Sequence, residues 1–273
     1  RVVPPLYESL SIHLVEINPV LREKQKAMLS GVRNIVWHDS IDEVPDGPAV
    51  ILANEYFDVL PIHQVVKRET GWHERVVEID GNGKLEFGAA AEPMPRFEIL
   101  LPPLVRAAPV GAVFEWRPDA EIMKIASRVR DQDGAALIID YGHLRSGVGD
   151  TLQAIARHSF TDPLKNPGQA DITAHVDFQA LVSAAEDLGA RVHGPLPQGE
   201  FLKRLGIETR AVTLMAKTTH EISEDISGAL KRLIGGGRGG MGLMFKVLAI
   251  SEPQLTSLAG FMDGKQDARA ELP

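Results

Sequence analysis

Short apolar runs alternate with amphipathic stretches along this chain, and the alternation predicts the elements. Residues 11–17 (SIHLVEI), 33–38 (RNIVWH), 49–53 (AVILA), 135–140 (AALIID) and 245–250 (FKVLAI) are short and rich in β-branched residues, as strands are. The runs at 49–53 and 135–140 are almost wholly apolar, as strands buried on both faces are. Residues 19–29, 118–130, 178–188, 201–217 and 222–233 read as helices. Pro19 and Pro118 open two of them and Gly189 ends a third. Residues 72–79 and 84–89 flank Asp80-Gly81-Asn82-Gly83, a strong hairpin signal. Helices alternating with short apolar strands imply an α/β sheet with helices on both faces, and ligands of such sheets sit at the carboxyl ends of the strands.

Chemistry is therefore sought just after each strand. Glu16 lies at the end of the first run, Asp39 follows the second, Asp140 closes the fourth, and the third runs directly into Asn54-Glu55. A carboxylate after the second strand of a nucleotide fold can accept both ribose hydroxyls. Acids at strand ends are also what contact with water alone would place there. The segment 53–61 (ANEYFDVLP) is the most suggestive, because it gathers Asn54, Glu55 and Asp58 after a buried strand. Paired carboxylates hold a guanidinium or accept a proton. Asn54 or Asp58 could equally cap a short helix.

Other motifs carry less. The glycines at 235–237 and 239–240 precede a strand instead of opening a helix after one, and lack the lysine-serine ending of a phosphate loop; a flexible turn is the expectation. His143, His158 and His175 have no metal-ligand spacing, so no metal site is expected. Thr173 or Asp177 should cap the helix that follows. The formal net charge of −8 argues against non-specific binding to nucleic acid or to an anionic membrane surface. The absence of cysteine excludes disulfides and thiolate chemistry. No apolar run reaches the roughly 20 residues that span a bilayer, and the opening RVVPP does not follow the plan of a signal peptide.

Six segments carry a resemblance. LVEINPVLREKQ (14–25), ILANEYFDVLPIHQ (51–64), IIDYGHLR (138–145), GDTLQAIARHSFTDPLKNPGQADITAHVDF (149–178), FLKRLGI (201–207) and MGLMFKVLAI (241–250) resemble, in this order, the MidA-like methyltransferases. That family includes the mitochondrial arginine methyltransferase that acts in assembly of respiratory complex I. The resemblance covers about residues 10–250. It implies a Rossmann-like, seven-stranded class I methyltransferase sheet with an inserted β-hairpin, at about 65–100, and S-adenosyl-L-methionine as cofactor. By the same resemblance Glu16 matches the acid that holds the cofactor ribose, Asp39 with Ser40 the position facing adenine, and Asn54 with Glu55 the motif beside the methionine end and the substrate. The implied reaction is methyl transfer to a protein arginine nitrogen, with Glu55 as the carboxylate that orients the guanidinium and Asp58 next. The family's glycine-rich loop, Gly-Pro-Gly-x-Gly, has no counterpart before Glu16. The first strand, this loop and the N-terminal helices are expected upstream of residue 1, and residues 251–273 are expected to be a disordered tail.

Expected partners are an arginine-bearing protein substrate and a second copy of the chain, with neither nucleic acid nor membrane insertion. The expected location is the cytoplasm of a bacterium or, in a eukaryote, the mitochondrial matrix. Two other classes compete: an assembly or binding module on a methyltransferase fold that has lost catalysis, and a nicotinamide-dependent dehydrogenase, which strand-end acids alone would fit.

Overall fold

A computed structural model describes residues 4–157, 159–237 and 239–262. The chain divides into two compact units, Arg1–Pro48 and Ala49–Pro273.

In the first unit, α1 (Pro4–Ser9) precedes β1 (Ile12–Val15), α2 (Pro19–Met28) and β2 (Ile35–His38). β1 and β2 pair in parallel, with Ile12 opposite Ile35 and Val15 opposite His38. The side chain of Asn18 caps α2, accepting from Val20 N at 2.9 Å and Leu21 N at 3.2 Å; Pro19 follows at the first helical position, where its missing N–H costs nothing. Arg22 on α2 then ties the two strand ends. Its Nε donates to Glu16 O at 3.0 Å, its Nη2 donates to His38 O at 2.9 Å, and it pairs with the Asp39 carboxylate.

The second unit is built on β3 (Ala49–Asn54), β8 (Gly134–His143), β12 (Val176–Asp177), β13 (Arg191–Pro197) and β14 (Phe245–Ser251). β3 and β12 run parallel to β8 along one edge. β14 lies antiparallel between β8 and β13, with Tyr141 opposite Phe245 and Asp140 opposite Lys246. This mixed sheet is separate from the β1–β2 pair among the described residues. All seven residues of β14 are buried. Against the sheet pack α5 (Ala120–Gln132) and α6 (Phe178–Asp187). α5 turns inward Ile122, Ile125, Ala126 and Val129, the i, i+3, i+4, i+7 spacing of one helical face. Each fully buried aliphatic side chain contributes about 1.5–3 kcal/mol.

Between β3 and β8 lies more than a hairpin. β4 (His63–Arg68), β5 (Gly71–Ile79), β6 (Leu85–Pro93) and β7 (Val113–Trp116) form a four-stranded antiparallel sheet in the order β6-β5-β4-β7, with α3 (Pro95–Leu100) and α4 (Pro103–Arg106) between β6 and β7. The expected hairpin is β5–β6, and Asp80 Oδ1 closes its turn by accepting from Asn82 N and Lys84 N, each at 2.8 Å. Val65, Trp72, Leu101, Val105 and Phe114 give this sheet its own core. After β8 come β9 (Gln153–Ala156), β10 (Ser159–Thr161) and β11 (Asp171–Thr173), a small antiparallel sheet.

Several expectations are corrected. β3 is not buried on both faces: Ala53 is buried, while Val50 and Leu52 are 83% and 74% exposed, the alternation of a strand with one wet face. The helix expected at 201–217 is two, α7 (Gln198–Arg204) and α8 (Ile207–Met215), parted by Gly206 in a left-handed conformation at φ +78°. The helix at 222–233 is α9 (His220–Ile234). The ends of the glycine-rich turn are closely packed, since a Cβ on Gly235 would stand 2.4 Å from Lys231 O and one on Gly240 2.4 Å from Gly235 O, while Gly237 and Gly239 at its tip have open space around them. Arg238 within it, and His158, lie outside the described residues. Up to Met262 the segment after β14 is held in place. Phe261 packs on Phe201 at 5.1 Å between ring centroids, and Arg204 Nη1 donates to Phe261 O at 3.1 Å. Residues 263–273 lie outside the described ones.

Candidate functional site

The strand-end acids of the first unit sit around α2. Glu16 is half-buried; its Oε1 accepts from Asn18 N at 2.8 Å and its Oε2 from Gln25 Nε2 at 3.2 Å. A carboxylate has about four acceptor positions, so capacity for two further hydroxyl donors remains. The carboxylate thus fits the ribose of a nucleoside cofactor. Asp39 is exposed and paired with Arg22. Ser40 opens a short 3₁₀ turn, accepting from Asp42 N at 3.3 Å.

In the second unit, the carboxyl ends of β3 and β8 bring together Asn54, Glu55, Asp58, Asp140 and Tyr141. The turn after β3 is held from several sides. Glu55 N continues the ladder by donating to Ile139 O at 2.9 Å. Phe57 N and Asp58 N donate to Asp140 Oδ2 at 3.1 and 3.2 Å, and Tyr141 N donates to Asp140 Oδ1 at 2.9 Å. Asp58 O accepts from Ala174 N at 3.0 Å and from Arg117 Nη2 at 3.2 Å. The Tyr56 hydroxyl donates to Glu121 Oε2 at 2.9 Å.

This leaves Asn54 and Glu55 facing outward. Both are exposed, and Asn54 Nδ2 donates to Glu55 Oε1 at 3.2 Å. Glu55 has φ +49°, an uncommon conformation for a residue with a side chain. Asp58 is different: it is 4% exposed, its Oδ2 accepts from the Tyr141 hydroxyl at 2.6 Å, and its Oδ1 is buried without a hydrogen-bond partner. Neither Asn54 nor Asp58 caps a helix. The cap of α6 is Asp177, which accepts from Gln179 N and Ala180 N; Thr173 instead accepts from Gln153 Nε2 at 3.2 Å.

Electrostatics follow from crowding two carboxylates into a buried place. Burial pushes the Asp140 carboxyl up to about 7, Asp58 adds to this, and the three backbone N–H donors oppose it. Burial and the hydrogen bond to Asp58 push the Tyr141 hydroxyl up to about 12, so it stays a donor. Arg117 is the half-buried counter-charge. Its Nη1 donates to His175 O at 2.7 Å and its Nη2 to Ala174 O at 2.6 Å; burial lowers its pKa, while Asp140, Glu115 and Asp58 raise it. Burial also lowers the pKa of His175, with His143 adding to the effect. Glu115 is saturated, accepting from Gln64 Nε2, the N–H and hydroxyl of Thr151, and Leu152 N. A cavity of about 170 Å³ opens beside it, lined also by His143, Arg145 and Val148.

Tyr141 and Arg117 were not singled out in the sequence. Tyr141 directly follows the strand-end Asp140, which is a usable signal. Arg117 follows β7 in a region with no strand signal of its own, and only the packing of that inserted strand reveals it. Among the described residues no cluster of three or more His, Asp or Glu side chains could hold a metal ion, and no helix is long and apolar enough to cross a membrane.

Residues 1–196 match the family described as "Putative S-adenosyl-L-methionine-dependent methyltransferase". The chain is 34% identical over 247 residues to the mitochondrial protein arginine methyltransferase NDUFAF7 of Danio rerio, a match covering 82% of this chain and 58% of that protein. The chain thus spans little more than half the length of this relative. A crystal structure of an uncharacterised protein from Burkholderia thailandensis superposes with a TM-score of 0.79 at 29% identity, covering 93% of this chain and 70% of that one. A second structure from the same organism, bound to S-adenosyl-homocysteine, superposes with a TM-score of 0.78 at 27% identity, covering 96% and 69%. Family match, relative and fold agree: the chain belongs to the MidA-like family of S-adenosyl-L-methionine-dependent methyltransferases.

Proposed function

We propose that the whole protein methylates an arginine side chain of a protein, with Glu55 orienting the acceptor. The observation that carries this reading is the exposed Glu55 carboxylate, in a left-handed conformation at the carboxyl end of β3, on a turn fixed from beneath. S-adenosyl-L-methionine supplies an electrophilic methyl group. A guanidinium is a poor nucleophile because its lone pairs are delocalised. A carboxylate that accepts two of its N–H groups turns one nitrogen toward the methyl carbon and stabilises the charge that remains. The proton lost from the methylated nitrogen leaves with solvent or with a carboxylate.

Glu16 has the free acceptor capacity for both ribose hydroxyls, and Asp39 with Ser40 serves the adenine end. Asn54, which already donates to Glu55, serves the methionine end. Asp58 is buried under Tyr141, so its role is to support the turn from within. The relatives' name, protein arginine methyltransferase, supports arginine as acceptor.

The test is transfer of labelled methyl groups from S-adenosyl-L-methionine to proteins of a methylation-depleted extract, read as methylarginine after hydrolysis. Glu55→Gln should lower the rate at least tenfold while S-adenosyl-homocysteine affinity changes less than threefold. Label found on lysine or a carboxylate, or a normal rate in the variant, rejects the reading.

A further inference from the structure

An exposed carboxylate that orients a substrate must be held still, and the group beneath it is Asp140. This residue is fully buried at the end of β8. Its two oxygens are taken up by Phe57 N, Asp58 N and Tyr141 N, so it does not itself reach a substrate. What it holds is the turn that carries Glu55. The φ of +49° at Glu55 costs on the order of 1 kcal/mol and persists only where surrounding contacts over-determine it. Asp140 supplies two of those contacts through one carboxyl oxygen, and hydrogen bonds to a charged acceptor are roughly twice as strong as neutral ones, so the hold tightens as the carboxyl ionises. Tyr141, next in sequence, reaches the same turn from the other side through Asp58 Oδ2 at 2.6 Å.

We infer that Asp140 is a positioning residue for the transfer: it fixes the turn 54–58 so that Glu55 meets the acceptor already oriented. The inference rests on the role proposed above for Glu55. An asparagine has nearly the shape of this carboxylate but only one acceptor oxygen. Whichever way its amide is turned, its NH₂ faces at least one of the three N–H donors. The turn then loses its anchor while the sheet keeps its packing.

The experiment compares Asp140→Asn with the wild-type whole protein in the methylarginine assay, with S-adenosyl-L-methionine as the varied substrate. Expected is a fall in kcat of at least tenfold, with KM and S-adenosyl-homocysteine affinity changed less than threefold. A normal kcat in the variant overturns the inference and leaves the Glu55 reading standing. Parallel losses of kcat, cofactor affinity and thermal midpoint also overturn it, since a purely structural role gives that pattern. A wild-type protein that transfers no methyl to arginine removes the Glu55 reading itself, and this inference with it. If the variant does not fold, the wild type decides through its amide resonances. Asp58, Tyr141, Arg117 and the register partner Lys246 are the charged or titrating groups facing Asp140. The amides of Phe57, Asp58 and Tyr141 should shift with pH around one shared midpoint as Asp140 ionises. Three flat or unrelated titrations reject the clamp.

Discussion

Asp140 also makes the stability of the second unit depend on pH in a direction opposite to that of most paired carboxylates. Its carboxyl is pushed from the ordinary 3.8 up to about 7, first by burial and then by Asp58. A folded-state pKa above the unfolded one means that the folded protein holds the proton more tightly. The stability this contributes is complete below about pH 4 and is lost as pH rises through about 7. At 1.36 kcal/mol per pH unit, the gap between 3.8 and about 7 corresponds to about 4 kcal/mol. The side chain is fully buried, so solvent screening takes little from this figure. Over the accessible range from pH 5 to pH 8, the unfolded chain is already ionised while the folded one takes up its charge, so about 3 kcal/mol of the total should appear.

Asp140→Asn removes the titration. The difference in stability between wild type and variant therefore isolates the ionisation of Asp140, because every other titrating group is common to both proteins. Native-state hydrogen exchange of the β8 amides gives the opening free energy of the strand that carries Asp140. Wild type should lose about 2–3 kcal/mol relative to the variant between pH 5 and pH 8. A difference that stays constant within about 0.5 kcal/mol would falsify the reasoning. It would mean that the three backbone donors outweigh the cost of burying the charge.

Other expectations follow from single contacts. Glu16→Gln in the whole protein should weaken S-adenosyl-L-methionine binding about tenfold to a hundredfold, since a hydrogen bond to a charged group contributes about 1.5–3 kcal/mol; unchanged affinity by calorimetry removes Glu16 from the ribose site. Arg117→Met leaves the carbonyls of His175 and Ala174 without its donors and leaves the buried Asp58 and Asp140 without their half-buried cation. Breaking such an arrangement costs about 3–5 kcal/mol, visible as a lower midpoint in urea, and a shift under 1 kcal/mol would mean the guanidinium is dispensable. Gly142→Ala sets a Cβ 2.0 Å from Val176 O, so β12 must part from β8; soluble protein with a wild-type thermal midpoint would show that this pairing tolerates expansion.

Much of the fold was legible because it rests on local pattern. The strands at 135–140 and 245–250 are apolar enough to declare themselves, and the helices at 19–29 and 178–188 are marked by Pro19 and Gly189. The strand-end acids were visible for the same reason: alternation places the element, and the first polar residue after it marks the end. What the sequence did not determine depends on contacts between distant residues. β13 was missed because Gly194-Pro195 interrupts its pattern, yet pairing with β14 makes it a strand. Val50 and Leu52 read as core because composition reports how apolar a strand is and not which of its faces is covered. Only the tertiary structure separated the acids. Glu55 and Asp58 are two carboxylates three residues apart, placed first and next for the same role by resemblance, but Glu55 is turned outward while Asp58 is folded under Tyr141. The separation comes from Asp140, 82 residues from Asp58 along the chain. A buried carboxylate must find donors wherever the fold brings them, and it found them in the backbone of that turn.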